Sequence, residues 1–145
     1  MRSGTSKLVD GILLLLLMAV GAWIRVDLIS ATNGVIDADE AIVGLMGKHM
    51  LEGREWPIFY YGQHYMGSLE PTLAALSFWL FGISNWSLKL VPLVFSVVLI
   101  PLVYSLTLRF ASNRGALVAA LATAIPPSAL IIWSGMARGG FIAVS

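Results

Sequence analysis

The sequence predicts an all-α membrane protein, and three observations lead to that prediction. Hydrophobic residues make up 58% of the 145 residues and charged residues 12%, whereas charged residues are about 25% of an ordinary soluble domain. The mean hydropathy is +0.85. Long apolar runs are separated by charged segments, and the one long polar segment has helical periodicity.

Charge and cysteine content exclude several classes of protein. The formal net charge is +1, and the chain has neither a basic stripe nor an aromatic RNA-binding motif, so we expect no nucleic-acid partner. Cysteine is absent, which excludes a disulfide framework and a thiolate metal site.

The first apolar run covers residues 8–24 and is interrupted only by Asp10. A helix needs roughly 17–25 residues to cross the hydrocarbon core of a bilayer, so this run is long enough. A signal peptide is the alternative, because a basic start precedes the leucine run and small residues follow it. Trp23 and Arg25 at the far end are more typical of an interface anchor than of a cleavage site.

Residues 25–85 are too polar to cross a membrane and form a predicted outer loop. Within it, residues 39–51 have the spacing of an amphipathic helix, and Gly53 follows as a natural stop. Gly44 and Gly47 lower the intrinsic stability of this helix by about 1 kcal/mol each. We expect these glycines to permit close approach of another helix or of a ligand.

Residues 69–81 form a second predicted helix in the loop. Ser68 is a candidate N-cap, Pro71 suits the first turn, and Gly82 follows at the end. An apolar run of this length is more often interfacial or re-entrant than spanning. We therefore expect both loop helices to be juxtamembrane helices on the same side of the bilayer.

The second predicted span covers residues 86–108, which is about 34 Å of helix. We expect Pro92 and Pro101 to kink it. Lys89 lies near its start, from where the amine can extend to the membrane interface.

The third predicted span covers residues 115–133, and Pro126-Pro127 bends its second half. A polar, glycine-rich turn follows over residues 134–140, and residues 141–145 resemble the start of another apolar run. We therefore expect the chain to be the N-terminal part of a larger transmembrane domain.

Charge asymmetry predicts the orientation in the membrane. With three spans, the basic residues of the short segments all fall on one side: Arg2, Lys7, Arg109 and Arg114. The positive-inside rule makes that side cytoplasmic, which places the N-terminus in the cytoplasm and loop 25–85 outside a plasma (inner) membrane. Three tryptophans then fall at the outer interface, where tryptophan is enriched: Trp23, Trp86 and Trp133.

The segment Asp37-Ala38-Asp39-Glu40 places three acids within four residues of an otherwise apolar chain. One hypothesis is structural: Asp37 caps the following helix and Glu40 completes a capping box. The other is chemical: a carboxylate acts here as a general base or holds a metal, since neighbouring acids repel one another and raise a pKa. The two hypotheses do not exclude each other.

Further motifs follow the acidic pair Asp39-Glu40 in a fixed order: Glu52-Gly53, Trp56-Pro57, Tyr60-Tyr61-Gly62, Tyr65, Pro71, and residues 78–84 and 88–92. In order and spacing they resemble the N-terminal part of GT-C superfamily glycosyltransferases. The protein O-mannosyltransferases and the lipid A aminoarabinose transferases are the most similar groups. The resemblance covers nearly all of residues 8–133.

The resemblance implies GT-C-like transmembrane helices, with the catalytic aspartate in the first outer loop. Asp39 matches that aspartate and Glu40 its acidic partner. In the family, the aspartate accepts the proton of an acceptor hydroxyl, whose oxygen attacks the anomeric carbon of a polyprenyl-phosphate sugar with inversion, and the bond to the polyprenyl phosphate breaks so that the phosphate leaves. The implied partners are membrane lipids, the polyprenyl-phosphate sugar and the missing C-terminal spans.

Five further residues are candidate substrate-binding groups, and each is also a candidate interfacial or structural group: Asp37, Lys48, Tyr61, His64 and Arg138. No cofactor is expected, and nothing in the sequence supports a divalent metal. In the oligosaccharyltransferase branch of the superfamily a second acidic motif follows the third span, whereas residues 134–138 contain no acid; this departure argues against that branch and its metal site. The aminoarabinose transferases have a lysine just before the second juxtamembrane helix, whereas no lysine stands before Pro71; this departure argues against lipid A as the acceptor.

Two other functions stay open. A small, non-catalytic membrane scaffold or assembly subunit needs the acids only to cap a helix. A transporter fragment needs a polar path, which Asp10 or the kinked spans could line.

Overall fold

The computed structural model describes residues 4–63 and 65–138, with only the main chain described for residues 4–7. The helices are α1 (Gly4–Ala31), α2 (Ala38–Leu51), α3 (Leu69–Phe81), α4 (Asn85–Thr107), α5 (Asn113–Ala124) and α6 (Ser128–Trp133). Within the described residues there is no strand, and one isolated antiparallel bridge joins Phe59 to Gly67. The all-α prediction is confirmed for this part of the chain.

Local chemistry determines where most of these helices begin and end. The Ser84 hydroxyl accepts the Ser87 N–H at 3.1 Å before α4. Gly53 and Gly82 follow α2 and α3 with φ of +67° and +81°, a region that glycine adopts without a Cβ clash. Ser68 occupies the predicted N-cap position of α3, but its side chain makes no capping hydrogen bond.

The first helix is longer than the predicted run of residues 8–24. It continues to Ala31, because Arg25 and Asp27 disfavour lipid but do not interrupt a helix. The first strong breaker is Asn33-Gly34, where both residues have positive φ.

The third apolar run is not one helix, and the bend expected at Pro126-Pro127 is a complete interruption. α5 ends at Ala124 and α6 begins at Ser128. Ile125 leaves the helical region with φ −124° and ψ 70°, as expected for a residue before proline. Pro127 has no N–H to donate to the Thr123 carbonyl, so the helical hydrogen bond at that position is lost.

Arg25 of α1 covers the carbonyls at this interruption. Its guanidinium donates to the carbonyls of Thr123 at 3.3 Å and Ala124 at 3.1 Å, and its Nε donates to the Ser134 hydroxyl at 3.1 Å. Arg25 is 2% exposed. Arg25, expected from the sequence as an interface anchor, thus caps the carbonyls of a broken helix.

The helices enclose two separate cores. α2, α3 and the first half of α4 surround one cluster, which includes Tyr60 of the α2–α3 connection and Ala137 near the end of the described chain. α1, α4 and α5 surround the second cluster around Ile100, Tyr104 and three alanines of α5. The first core therefore brings the segment after α6 against the start of α2.

Two helices are long and apolar enough to cross a membrane, over Leu8–Ala31 and Asn85–Thr107. α3 is apolar but shorter, as predicted for a helix that does not span. At the end of α1 distant from Arg25, the Asp10 carboxylate accepts the Asn113 side-chain N–H at 2.8 Å. Tyr104 donates to the same asparagine at 3.0 Å, so this polar cluster joins α1, α4 and α5.

Close packing of α2 against α3 occurs at Gly47, as the sequence analysis expected. A Cβ added to Gly47 would lie 3.0 Å from the Ala74 Cβ, 3.1 Å from the Ala75 N and 3.1 Å from the Pro71 carbonyl oxygen. Two of these three atoms belong to the main chain of α3, which cannot move away without shifting the whole helix.

We predict that Gly47→Ala destabilises the protein. Overpacking costs about 1–3 kcal/mol, which outweighs the roughly 1 kcal/mol that alanine contributes to helix propensity. Thermal unfolding in detergent measures the effect. Gly11→Ala is the matched control, because a Cβ there meets nothing within 4 Å. An equal or higher melting temperature for Gly47→Ala than for Gly11→Ala would contradict the prediction.

We predict that Arg25→Met also lowers the melting temperature. Each buried carbonyl left without a donor costs about 1–3 kcal/mol. Arg109→Met is the control, since Arg109 is exposed. If Arg25→Met unfolds at the same temperature as this control, another donor covers the Thr123 and Ala124 carbonyls.

Candidate functional site

The candidate site is built on the N-terminus of α2. Asp37 is the N-cap, and its side chain accepts the Glu40 N–H at 2.9 Å while the Glu40 side chain accepts the Asp37 N–H at 3.1 Å. These two bonds form a capping box, which satisfies main-chain donors that the helix leaves open. The structural hypothesis for Asp37 and Glu40 is thereby confirmed.

Glu40 is also half of a buried ion pair. Lys89 of α4 donates to both Glu40 oxygens, at 2.9 Å and 3.1 Å, and the side chains are 6% and 1% exposed. The Ala137 N–H donates to Glu40 at 3.0 Å. Removing charges from water is costly unless they are paired and hydrogen-bonded, and here each oxygen has two donors. The predicted catalytic partner is thus occupied by structural contacts.

Asp37 makes a second ion pair, with Arg138. The Arg138 Nε donates to the Asp37 carboxylate at 2.9 Å, and a second guanidinium nitrogen bonds the same oxygen. Partial burial by itself raises the pKa of Asp37, but the Glu40 N–H and the guanidinium outweigh it, so this pKa lies below its ordinary value. Asp37 therefore stays ionised at neutral pH.

Asp39 differs from both neighbouring acids. It is exposed, and within the described part of the chain its carboxylate has no hydrogen bond or ion pair. Its main-chain carbonyl accepts the Tyr60 hydroxyl at 2.9 Å. The phenol thus holds the main chain of Asp39 while the carboxylate remains accessible.

Tyr60 and Tyr61 attach the α2–α3 connection to α2 in two different ways. Burial, together with the negative charges of Asp39, Glu70 and Asp37, raises the pKa of Tyr60 to about 12. Tyr61 donates to Glu55 and lies 2.9 Å from the His49 Nδ1. Burial and the Glu55 contact raise the pKa of Tyr61 to about 12.

A cavity of about 500 Å³ opens beside the Asp37–Arg138 pair. Most of its wall is apolar and comes from α4, α5 and α6, and the polar wall includes Arg138 and Arg25. A second cavity of about 310 Å³ is lined by Asp37, Glu40 and Lys89. Met136 lines both cavities, and the Asp37–Arg138 pair contributes Arg138 to the larger cavity and Asp37 to the smaller one.

The structure brings together some of the predicted site residues but not all. Asp37, Asp39, Glu40 and Arg138 lie around the first turn of α2. Lys48 lies near the other end of α2, about 14 Å along the helix axis from Asp39, and contacts Glu52 at 3.8 Å. Tyr61 packs near His49 rather than beside Asp39. His64 lies outside the described residues.

The sequence analysis missed two residues that shape the site. Lys89 was expected to reach the membrane interface, but it pairs with Glu40 inside the protein. Tyr60 was recognised only as part of an aromatic motif. The sequence did contain a sign of the Lys89 ion pair, because an amine in an apolar helix needs either water or an acidic partner.

Within residues 4–63 and 65–138, no group of three His, Cys, Asp or Glu residues could hold a metal ion. Comparison with family models, with curated proteins and with solved structures gives no match for this chain.

We predict that Asp39→Asn lowers the pKa of Tyr60 from about 12, because one of the charges that disfavour the phenolate is removed. Burial remains, so this pKa stays above 10. The ultraviolet absorbance of the phenolate measures it, in a Tyr61→Phe background that removes the other high titration. Asp27→Asn removes an exposed acid of α1 and should leave the curve unchanged. An unchanged curve in Asp39→Asn would mean that the Asp39 carboxylate points away from Tyr60.

The same pKa has a consequence for stability. The folded protein holds the Tyr60 proton more tightly than the unfolded chain does. This difference in pKa adds to the free energy of unfolding, and the added stability is complete below about pH 10. It is lost as the pH rises towards 12.

Proposed function

We propose that the chain belongs to a glycosyltransferase that moves a sugar from a polyprenyl-phosphate donor to an acceptor at the outer face of a membrane. The observation that carries the proposal is the accessible carboxylate of Asp39 in the first turn of α2, two residues after Asp37, whose ion-pair partner Arg138 lines an apolar cavity. GT-C-like architecture, inverting transfer and location in an inner (plasma) membrane are parts of the same proposal.

Asp39 has the properties of a general base in this proposal. A base must lie within hydrogen-bond distance of the proton it removes, so its carboxylate must be reachable and not already occupied. Asp37 and Glu40 each hold a basic partner, whereas Asp39 is exposed. Glu40 then contributes by fixing the helix start rather than by taking a proton.

The larger cavity suits a donor with an apolar tail and a phosphate. Leu99, Leu130 and Trp133 supply apolar wall. Arg138 lines the cavity, and its side chain is 31% exposed although it contacts Asp37. A guanidinium can bind a phosphate through two parallel hydrogen bonds, and positive charge stabilises a leaving phosphate.

The long apolar helices support a membrane location. Only 17% of the apolar window of α1 and 28% of that of α4 is buried within the protein, so most of these surfaces need another apolar environment. The exposed face of α3 includes Leu76, Trp79 and Leu80, which suits a helix lying at the interface. The distribution of basic residues then places α2 and α3 outside and the N-terminus in the cytoplasm.

α5 and α6 cross the membrane together in this proposal. α5 alone is about 18 Å long, shorter than the hydrocarbon core of about 30 Å. An irregular main chain is tolerated at membrane depth only where protein groups satisfy it. Arg25 supplies such groups at residues 123 and 124.

A non-catalytic scaffold is the second candidate function. The capping box and the two ion pairs already account for Asp37 and Glu40 as structural residues. This alternative leaves the accessible Asp39 without a role, and it predicts that Asp39 can be replaced without loss of function.

The test measures transfer of a radiolabelled sugar from polyprenyl phosphate in membranes from cells that express the intact gene. We predict that Asp39→Asn lowers the rate by roughly 10²- to 10⁴-fold, the usual contribution of a general base. The melting temperature should change little, because the Asp39 carboxylate makes no hydrogen bond or ion pair within the described structure. Asp27→Asn is the matched control, since it neutralises another exposed acid.

Equal rates in wild type and Asp39→Asn would remove Asp39 as the base. Absence of transfer by the wild type with hexosyl and pentosyl donors would contradict the glycosyltransferase and favour the scaffold.

A further inference from the structure

Lys89 is a charged residue in the interior of an apolar helix bundle. It belongs to α4 and is 5% exposed. An ammonium group in such surroundings is costly unless it is paired and hydrogen-bonded. Lys89 makes two bonds to the Glu40 carboxylate, and its amine lies 3.4 Å from the Gly135 carbonyl oxygen.

The Glu40 carboxylate joins three segments that are distant in the sequence. It accepts hydrogen bonds from Lys89 of α4, from the Asp37 N–H before α2, and from the Ala137 N–H after α6. Both main-chain donors lie outside the helices, Asp37 directly before α2 and Ala137 after α6. Each N–H has the Glu40 carboxylate as its acceptor. One carboxylate therefore sets the position of the α2 start relative to residues 134–138.

The residues next to these contacts are the ones that the proposed function uses. Asp39 directly precedes Glu40, and Arg138 directly follows Ala137. Asp37, whose N–H bonds Glu40, binds Arg138 through its own carboxylate. A displacement of Glu40 would therefore move the proposed base and the proposed phosphate-binding group relative to each other.

We infer that Lys89 is a positioning residue: through Glu40 it holds Asp39 of α2 and Arg138 of the segment after α6 in register. This inference rests on the proposed function for its effect on catalysis. Lys89 is not among the groups that the proposed function places at the reacting atoms, and it acts through the Glu40 carboxylate and through its contact with the Gly135 carbonyl.

A purely stabilising role is the competing explanation, and one double variant separates the two. Replacing a buried ion pair by apolar side chains is often neutral or stabilising, so Glu40→Leu/Lys89→Met should fold. Leucine cannot accept the Ala137 N–H, so the connection through position 40 is lost, and the Asp37–Arg138 ion pair is the polar contact that remains between the two segments. Lys89→Met alone leaves a buried carboxylate without its cation and is expected to unfold more easily.

The distance between the two segments can be measured directly by electron spin resonance. The chain has no cysteine, so Ala41→Cys and Ile132→Cys give one labelled pair, and both positions are exposed. In wild type we expect a single narrow distance distribution. In Glu40→Leu/Lys89→Met we expect a broader or displaced distribution in a protein that still unfolds cooperatively, at a melting temperature below that of wild type because the Asp37 and Ala137 N–H groups lose their acceptor.

Sugar transfer gives the second readout. A displacement of about 1 Å can cost about 10²-fold in rate, so we expect a loss of about that size in Glu40→Leu/Lys89→Met. Lys89→Arg keeps the charge and should retain more of the rate. Arg54→Met is the matched control, because it breaks an exposed ion pair with Glu52 at the far end of α2 and should change neither readout.

A wild-type distance distribution in the double variant would overturn the inference, since the ion pair would then serve stability alone. A changed distribution with an unchanged transfer rate would also overturn it. If the wild type transfers no sugar, the proposed function fails, and the distance measurement still decides whether Lys89 holds the two segments together.

Discussion

The buried Glu40 carboxylate is the interaction on which the arrangement of the site depends. It completes the cap of α2, neutralises Lys89 of α4 and accepts a main-chain N–H from the segment after α6. An apolar residue at position 40 could fill the same space, but it could not accept two main-chain N–H groups. Two contacts offset the cost of burying the Glu40 charge. The carboxylate accepts the Asp37 and Ala137 N–H groups, and the Lys89 ammonium balances the negative charge.

A related constraint operates where two prolines interrupt the third apolar run. The prolines remove N–H donors, and the carbonyls of Thr123 and Ala124 would otherwise be left without partners inside the bundle. Arg25 of α1 supplies the donors. In both places a long, charged side chain from one helix satisfies main-chain groups of another segment. This solution is suited to surroundings in which water is scarce.

Features that depend on neighbouring residues were predictable from the sequence. The bounds of α2, α3 and α4, the capping box and the close approach at Gly47 all follow from patterns within a few residues. The partners of Arg25 and Lys89 were not predictable, because they lie 99 and 49 positions away in the chain. The sequence shows that an amine in an apolar run needs water or an acid, but only the packing of α4 against α2 decides between them. The sequence predicted a bend at Pro126-Pro127, whereas the helix is interrupted there. Whether a helix continues depends on whether other groups can donate to the carbonyls that lose their helical N–H partners.

Helix geometry explains why the three neighbouring acids have different roles. Successive helical residues are rotated by about 100°, and residues three apart lie on the same side. Asp37 is the N-cap and has an extended main chain, so its side chain reaches the Glu40 N–H, and Glu40 at the third helical position reaches back to the Asp37 N–H to complete the capping box. Asp39 is rotated away from Glu40, and its carboxylate is exposed while Tyr60 holds its carbonyl. A scaffold requires only Asp37 and Glu40, which hold the helix start. A general base requires in addition the Asp39 carboxylate, which that helix start positions and which has no basic partner among the described residues. The spacing Asp-x-Asp-Glu meets both requirements within one helical turn, and for this reason the structural and chemical hypotheses apply to different residues of the same segment.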